Sequence, residues 1–182
     1  MRKKYSGKAQ IWIETVIYTL IALIMIGAVL TFARPKIQEI QDKIVIDQSF
    51  ESLEEIDSQI MSAINGGIGN KRIISVEIKK GELKIDDQEP NQILFILKDS
   101  RSIYSEPTTD PEKFLKIGGK IEVQTQKTGK TAVVVLRLKY DPGDVDIIYS
   151  SEYGNILGKS PSPYKFTITN LGLNDIKIEV GS

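Results

Sequence analysis

The sequence predicts an α+β protein. A long N-terminal helix, membrane-type in its first part and amphipathic in its second, is followed by an all-β, antiparallel sandwich-like head. Three observations predict this. Residues 11–33 form an apolar run with a single charge. Residues 37–64 carry apolar side chains largely at three- and four-residue steps. From residue 72 on, short segments rich in Ile and Val alternate with turn signals at roughly ten-residue spacing.

The apolar run comes first. Ile11–Ala33 is 23 residues long and its single charge is Glu14. As a helix it reaches about 35 Å, enough to cross the hydrocarbon core of a bilayer. Ahead of it lie Arg2, Lys3, Lys4 and Lys8 with no acid, and behind it Arg34-Pro35-Lys36. A basic leader before an apolar span holds the N-terminus on the cytoplasmic side and places the C-terminal domain outside. A removable secretory leader has a shorter apolar region, about 7–15 residues, and ends at a small-residue cleavage site. Here large and charged residues follow, so the span is expected to stay on the protein. Trp12 and Tyr18 suit the membrane–water interface.

The amphipathic part follows. Ile37, Ile40, Ile44, Phe50, Leu53, Ile56, Ile60 and Ile64 form the stripe, and the intervening residues are mostly acidic. Pro35 fits either the first turn of a second helix or a kink in a continuous one. Asn65-Gly66-Gly67 ends the helix with a residue suited to the left-handed cap. The second half is expected to pack on the head, and the imperfect repeat also admits a coiled coil.

The head is read as eight strands: Arg72–Lys79, a short strand around Leu83 and Ile85, Gln92–Lys98, Lys120–Gln126, Lys130–Tyr140, Val145–Tyr149, Tyr164–Thr169 and Asp175–Val180. Turns are expected at Lys80-Gly81, at Lys127-Thr128-Gly129, in a hairpin at Asp141-Pro142-Gly143-Asp144, and at Asn170-Leu171-Gly172. Ser105–Lys116, with Pro107 and Pro111, is the longest irregular connection. The segments are therefore 1–9 basic leader, 10–34 transmembrane helix, 35–65 amphipathic helix and 72–182 β-rich extracytoplasmic domain.

Composition excludes much chemistry. The chain has 182 residues with 24 basic and 24 acidic side chains. It has no basic excess, so no nucleic-acid partner is expected. It has no Cys, which excludes disulfides, thiolate metal sites and a Cys nucleophile. It has no His, which excludes the Ser-His-Asp triad and most catalytic zinc sites. No catalytic residue, metal ligand or cofactor is expected, and the protein reads as a non-enzyme. Asp141, Asp144 and Asp146 have oxygen-ligand spacing, but they lack the full EF-hand pattern and Pro142-Gly143 accounts for a solvated turn. Gly66-Gly-Ile-Gly-Asn-Lys71 lacks the Gly-Lys-Ser/Thr ending of a phosphate loop and follows a helix instead of a strand.

The informative residues are Gly7, Lys8, Ala9, Gln10 and Glu14. Gly7-Lys8-Ala9 is a small, basic joint, Gln10 opens the apolar helix, and Glu14 lies four residues on, on the same face. A carboxylate there costs a few kcal/mol in lipid unless it finds a partner. One partner is the α-amino group of a neighbouring copy cut just before the helix. The other reading keeps Glu14 at the membrane boundary, favoured by the helix N-terminal dipole. The order of basic leader, small residue, Gln, then Glu within an apolar helix resembles the class III signal of archaeal type IV pilin-like proteins. The resemblance covers about residues 2–35. It departs in carrying Gly7-Lys8-Ala9 where Lys/Arg-Gly often precedes Gln, and in the bulk of Ile11-Trp12-Ile13. It implies cleavage between Ala9 and Gln10 by a membrane prepilin-type aspartic peptidase, with Glu14 docking subunits. It further implies a structural subunit of a surface filament or pseudopilus, oligomeric with itself or other pilin-like chains. The competing expectation is a non-filamentous, signal-anchored surface protein whose β head binds a partner or ligand.

Overall fold

The structure is a computed structural model that describes residues 7–87 and 91–181, with side chains from Ile11 on. The chain is an α+β protein: one long N-terminal helix followed by a β-rich domain of largely antiparallel sheets. Its two compact units are Met1–Glu39 and Ile40–Ser182. Residues 1–6 of the expected leader lie outside the described residues, as do the side chains of Gly7, Lys8, Ala9 and Gln10.

Helix α1 spans Gly7–Asn65 and is assigned without a break at Pro35. Pro35 has no N–H to donate, so the carbonyl of Thr31 loses its helical donor. The helix ends where Gly66 N donates to Ser62 O at 3.0 Å and Gly67 N to Ile64 O at 3.1 Å. Gly67 stands at φ +84°, the left-handed region that a side chain disfavours.

The head has ten strands in two sheets. Strands β1 (Lys71–Val76), β9 (Tyr164–Gly172), β10 (Asp175–Gly181) and β7 (Asp146–Ser151) form the smaller sheet, in that order. The larger sheet runs β4 (Leu115–Gly118), β5 (Ile121–Thr128), β6 (Thr131–Lys139), β3 (Gln92–Ser100), β2 (Glu82–Asp86) and β8 (Ile156–Leu157). Inward side chains alternate along each long strand. Ala132, Val134, Leu136 and Leu138 of β6 point in, as do Ile176, Ile178 and Val180 of β10.

One core joins both sheets to the second half of α1. Ile46, Leu53, Ile56, Ile60 and Ala63 are fully buried in it, beside Phe166, Ile168, Leu136 and Leu138. The inward face repeats every seven residues, as Ile46-Leu53-Ile60 and as Asp42-Ser49-Ile56-Ala63, all buried except the half-buried Ser49. This corrects the expected stripe. Ile37, Ile40 and Ile44 are exposed. Ile44 precedes Ile46 by two residues, about 200° of helix rotation, so the two cannot share a face.

Five further readings of the sequence are corrected. There are ten strands, not eight. β4 begins at Leu115, inside the segment expected to be irregular, because its residues pair with Glu122 and Val123 of β5. β8 is a two-residue pairing with Leu83 and Lys84, too short to leave a periodicity. The sheets are not wholly antiparallel, since β7 runs parallel to β10 from Asp146↔Asp175 to Ser151↔Val180. Residues 141–144 are not a hairpin: they carry the chain from β6 in one sheet to β7 in the other.

Asn91 clips that crossover. It is buried, its Nδ2 donates to Asp146 Oδ1 at 3.1 Å, and its Oδ1 accepts from Ile147 N at 3.2 Å. Its carbonyl accepts from Tyr140 N at 3.1 Å. The Lys80-Gly81 turn also has a specific cause. Gly81 stands at φ +91°, and a Cβ there would meet the Phe95 ring at 2.6 Å.

The helix is tied to the head by polar contacts as well. Asp42, only 2% exposed, pairs with Lys80 Nζ, and its second oxygen accepts from Arg101 N at 2.8 Å. Tyr140 OH donates to Asp57 Oδ1 at 2.9 Å. Asn170 Nδ2 donates to Ala63 O at 3.2 Å, near the helix end. Burial, followed by the Asp57 carboxylate beside it, pushes the Tyr140 phenol far above its ordinary value of 10.

The folded state holds the Tyr140 proton to higher pH than the unfolded chain does. Its contribution is therefore complete below pH about 10 and is lost as pH rises above it. Tyr140→Phe should cost about 1–2 kcal/mol near neutrality through the lost hydrogen bond, and should flatten the alkaline fall in stability; urea unfolding at several pH values checks both. The β9–β10 turn was expected at Asn170-Leu171-Gly172 but lies at Leu173-Asn174, with φ of 54° and 71°. Both signs match a type I′ turn, which favours Asn and Gly and penalises Leu. Leu173→Asn should stabilise by about 0.5–1 kcal/mol, read as a higher denaturation midpoint.

Candidate functional site

The first candidate is the apolar part of α1. From Ile11 to Phe32 every side chain is exposed, including Trp12, Tyr18, Leu23 and Phe32. None of its most apolar stretch is buried. A core helix of a soluble domain would be covered by its own chain. This one is long and apolar enough to cross a membrane, and so is compatible with a membrane anchor.

Its threonine hydroxyls are internally satisfied. Thr15 Oγ1 donates to Ile11 O at 2.9 Å, Thr19 to Thr15 O at 2.8 Å, and Thr31 to Gly27 O at 2.9 Å. Each hydroxyl spends its proton on a carbonyl four residues back, which lowers the cost of an apolar medium. Glu14 is different. It is exposed on the helix surface and has no ion pair among the described residues. Gly27 has open space where a Cβ would stand, so another helix could approach closely there.

The structure places Gly7, Lys8, Ala9 and Gln10 in the first turns of α1 by backbone. Glu14 follows one turn after Gln10.

The head and the helix face packed on it offer two polar recesses. A groove of about 300 Å³ runs between Ser49, Glu51 and Glu55 of α1 and Ser75, Glu77 and Lys79 after and along β1. A smaller recess, about 140 Å³, gathers Lys116, Lys120 and Lys139 with Glu122, Asp141 and Asp144. Lys120 Nζ also sits 4.7 Å from the centroid of the Tyr140 ring. Glu122 is taken up by Arg137, which stacks on Phe114 with its guanidinium 3.6 Å from the ring centroid. Asp146, grouped with Asp141 and Asp144 by sequence, is instead bound by Asn91. Among the described residues no three carboxylates approach closely enough to hold a metal ion.

Asp42 and Asp57 are among the intervening, mostly acidic positions of the amphipathic stretch. The structure turns both toward the head. The signal for Asp42 was its place in the seven-residue repeat with Ser49, Ile56 and Ala63.

No protein-family model, curated protein or solved structure matches this chain.

Membrane insertion of α1 has a direct test. Ile21→Arg with Ile24→Arg puts two cations near the centre of the run, at about 2.5–3.5 kcal/mol each in lipid. The parent chain should remain in the membrane pellet after alkaline carbonate extraction, and the double variant should shift to the soluble or aggregated fraction.

Proposed function

We infer that this chain is a structural subunit of a type IV pilus-like surface filament or pseudopilus, processed before Gln10 and assembled through its apolar helix. One observation carries the reading: a basic leader, the small joint Gly7-Lys8-Ala9, Gln10, Glu14 and an uninterrupted apolar run occur in that order within one short stretch. The uncovered surface of residues 11–32 supports it, because that surface requires lipid or neighbouring helices.

The chemistry of assembly follows from Glu14. Cleavage on the cytoplasmic side by a prepilin-type aspartic peptidase leaves Gln10 with a free α-ammonium group. The Glu14 carboxylate of a neighbouring copy neutralises it, which relieves both charges of their cost in an apolar medium. Lipid is as apolar as Leu or Ile, so helices leave it only for closer packing. Gly27 and Ala28 supply small side chains for that approach. The head remains outside the membrane, on the cell surface, and carries no catalytic role in this reading.

The mature N-terminus, mapped by intact mass and N-terminal peptides from native membranes, tests processing. The expected start is Gln10. A start at Met1 or Arg2, in cells where the peptidase is active, overturns the reading in favour of a signal-anchored surface protein whose head binds a partner. Glu14→Gln keeps the size and removes the charge. It should leave cleavage and membrane insertion intact while lowering filament yield at least about tenfold, scored by electron microscopy of sheared cells.

A further inference from the structure

Helix α1 carries a second repeat besides the one that enters the core. Ile26, Leu30, Ala33, Ile37, Ile40 and Ile44 follow one another at steps of four and three residues without exception. All but the half-buried Ala33 are exposed, with Ile37 at 52%, Ile40 at 59% and Ile44 at 48%. Asp42, which turns into the head, lies two residues from both Ile40 and Ile44, about 200° of helix rotation. The helix there has two apolar repeats on opposite sides, and only one of them is used by its own head. The exposed repeat ends at Ile44, because its next two positions are Asp47 and Glu51.

Two features say what covers it. Spacing is the first. Alternating steps of four and three average about 3.5 residues, slightly under the 3.6 of a straight helix. A seam of that period stays in contact with one kind of partner, another helix wound around it. Position is the second. Arg34 and Lys36 close the charge-free stretch, so Ile37, Ile40 and Ile44 stand beyond it among Gln38, Glu39, Gln41 and Lys43. Lipid tails surround Ile26, Leu30 and Ala33 but do not reach past two cations held at the headgroups. The three isoleucines beyond need a protein cover.

We propose that residues 26–44 of α1 form a parallel, in-register bundle with the same segment of other copies of this chain. Copies inserted one way in one bilayer hold identical residues at identical depth, so each seam meets its match without sliding. The flanks agree with that pairing. In a parallel pair Lys36 faces the neighbour's Gln41 and Lys43 the neighbour's Gln48, so these positions oppose no like charges. Lys36 is also neutralised by its own Glu39 at 2.8 Å. Pro35 lies two residues from both Ala33 and Ile37, on the far side of the helix from the seam, and leaves the approach open. Isoleucine at both kinds of seam position, Ile37 with Ile44 and Ile40, favours three or four strands over two. The bundle requires α1 to span a membrane. It requires neither cleavage before Gln10 nor filament growth.

Disulfide trapping tests the register. The chain has no cysteine, so each single substitution gives a single thiol. Full-length Ile37→Cys, Ile40→Cys, Ile44→Cys, Gln38→Cys and Glu39→Cys chains are reconstituted in phosphatidylcholine vesicles and oxidised with copper phenanthroline. The three seam variants should form disulfide dimers at least about tenfold faster than Gln38→Cys and Glu39→Cys, because the seam alone brings paired Cα atoms within about 7 Å. Adding Ile37→Glu and Ile44→Glu to the Ile40→Cys chain should abolish its cross-link. Both isoleucines are exposed, so the far-ultraviolet circular dichroism of the head should stay unchanged. Equal rates at all five positions, or no cross-link at the seam, overturn the proposal. So does preferential cross-linking of Ile37→Cys to Ile44→Cys chains in a mixture, which means staggered neighbours. Carbonate extraction of the same vesicles reads membrane insertion separately, and processing plays no part because the vesicles hold no peptidase.

Discussion

Burial of one helix face organises the head. Ile46, Leu53, Ile56, Ile60 and Ala63 are fully removed from solvent, and each large aliphatic among them contributes about 1.5–3 kcal/mol relative to exposure. Their seven-residue phase fixes which way the helix faces. It therefore decides that Asp42 and Asp57 turn inward and that Ile40 and Ile44 turn out. The buried carboxylate of Asp42 would be costly alone. Its pairing with Lys80 and with the Arg101 N–H makes the position tolerable and ties the helix to two separate turns of the head.

The same helix meets two opposite demands along its length. In Ile40–Asn65 one face is apolar and the rest is polar, as suits a helix lying on a core in water. In residues 11–32 nearly every side chain is apolar and uncovered. The threonine hydroxyls are closed internally there, which leaves an apolar surrounding to penalise the Thr31 carbonyl opposite Pro35, the polar tips of Trp12 and Tyr18 and, above all, Glu14. Glu14 is the one charged group in the stretch, and that gives the residue its interest.

The sheets are held together by devices that sequence periodicity does not register. Asn91 satisfies both faces of its amide and its carbonyl on the strand-to-strand crossover. The parallel pairing of β7 with β10 depends on the chain having already passed through β8 and β9. The segment between β7 and β9 then sets the Tyr153 ring edge to face against that of Tyr164. Leu173 stands at the opposite kind of position, 96% exposed on a left-handed turn where local chemistry disfavours it.

By itself the sequence determined the elements whose causes are local. The apolar length of residues 11–33, the glycines ending α1, and the alternation of β3, β6, β9 and β10 are each written in neighbouring residues. So is the order Gly7-Lys8-Ala9-Gln10 with Glu14, whose roles rest on that pattern alone, with side chains of the first four outside the described residues. The tertiary structure decided what depends on partners far along the chain. It chose Ile46 over Ile44 because a helix face is set by what it packs against. It made a strand of Leu115–Gly118 because β5 offered an unpaired edge to residues with no strand periodicity of their own. It assembled the Asp42 clamp because only a folded chain brings residues from separate elements within hydrogen-bonding distance.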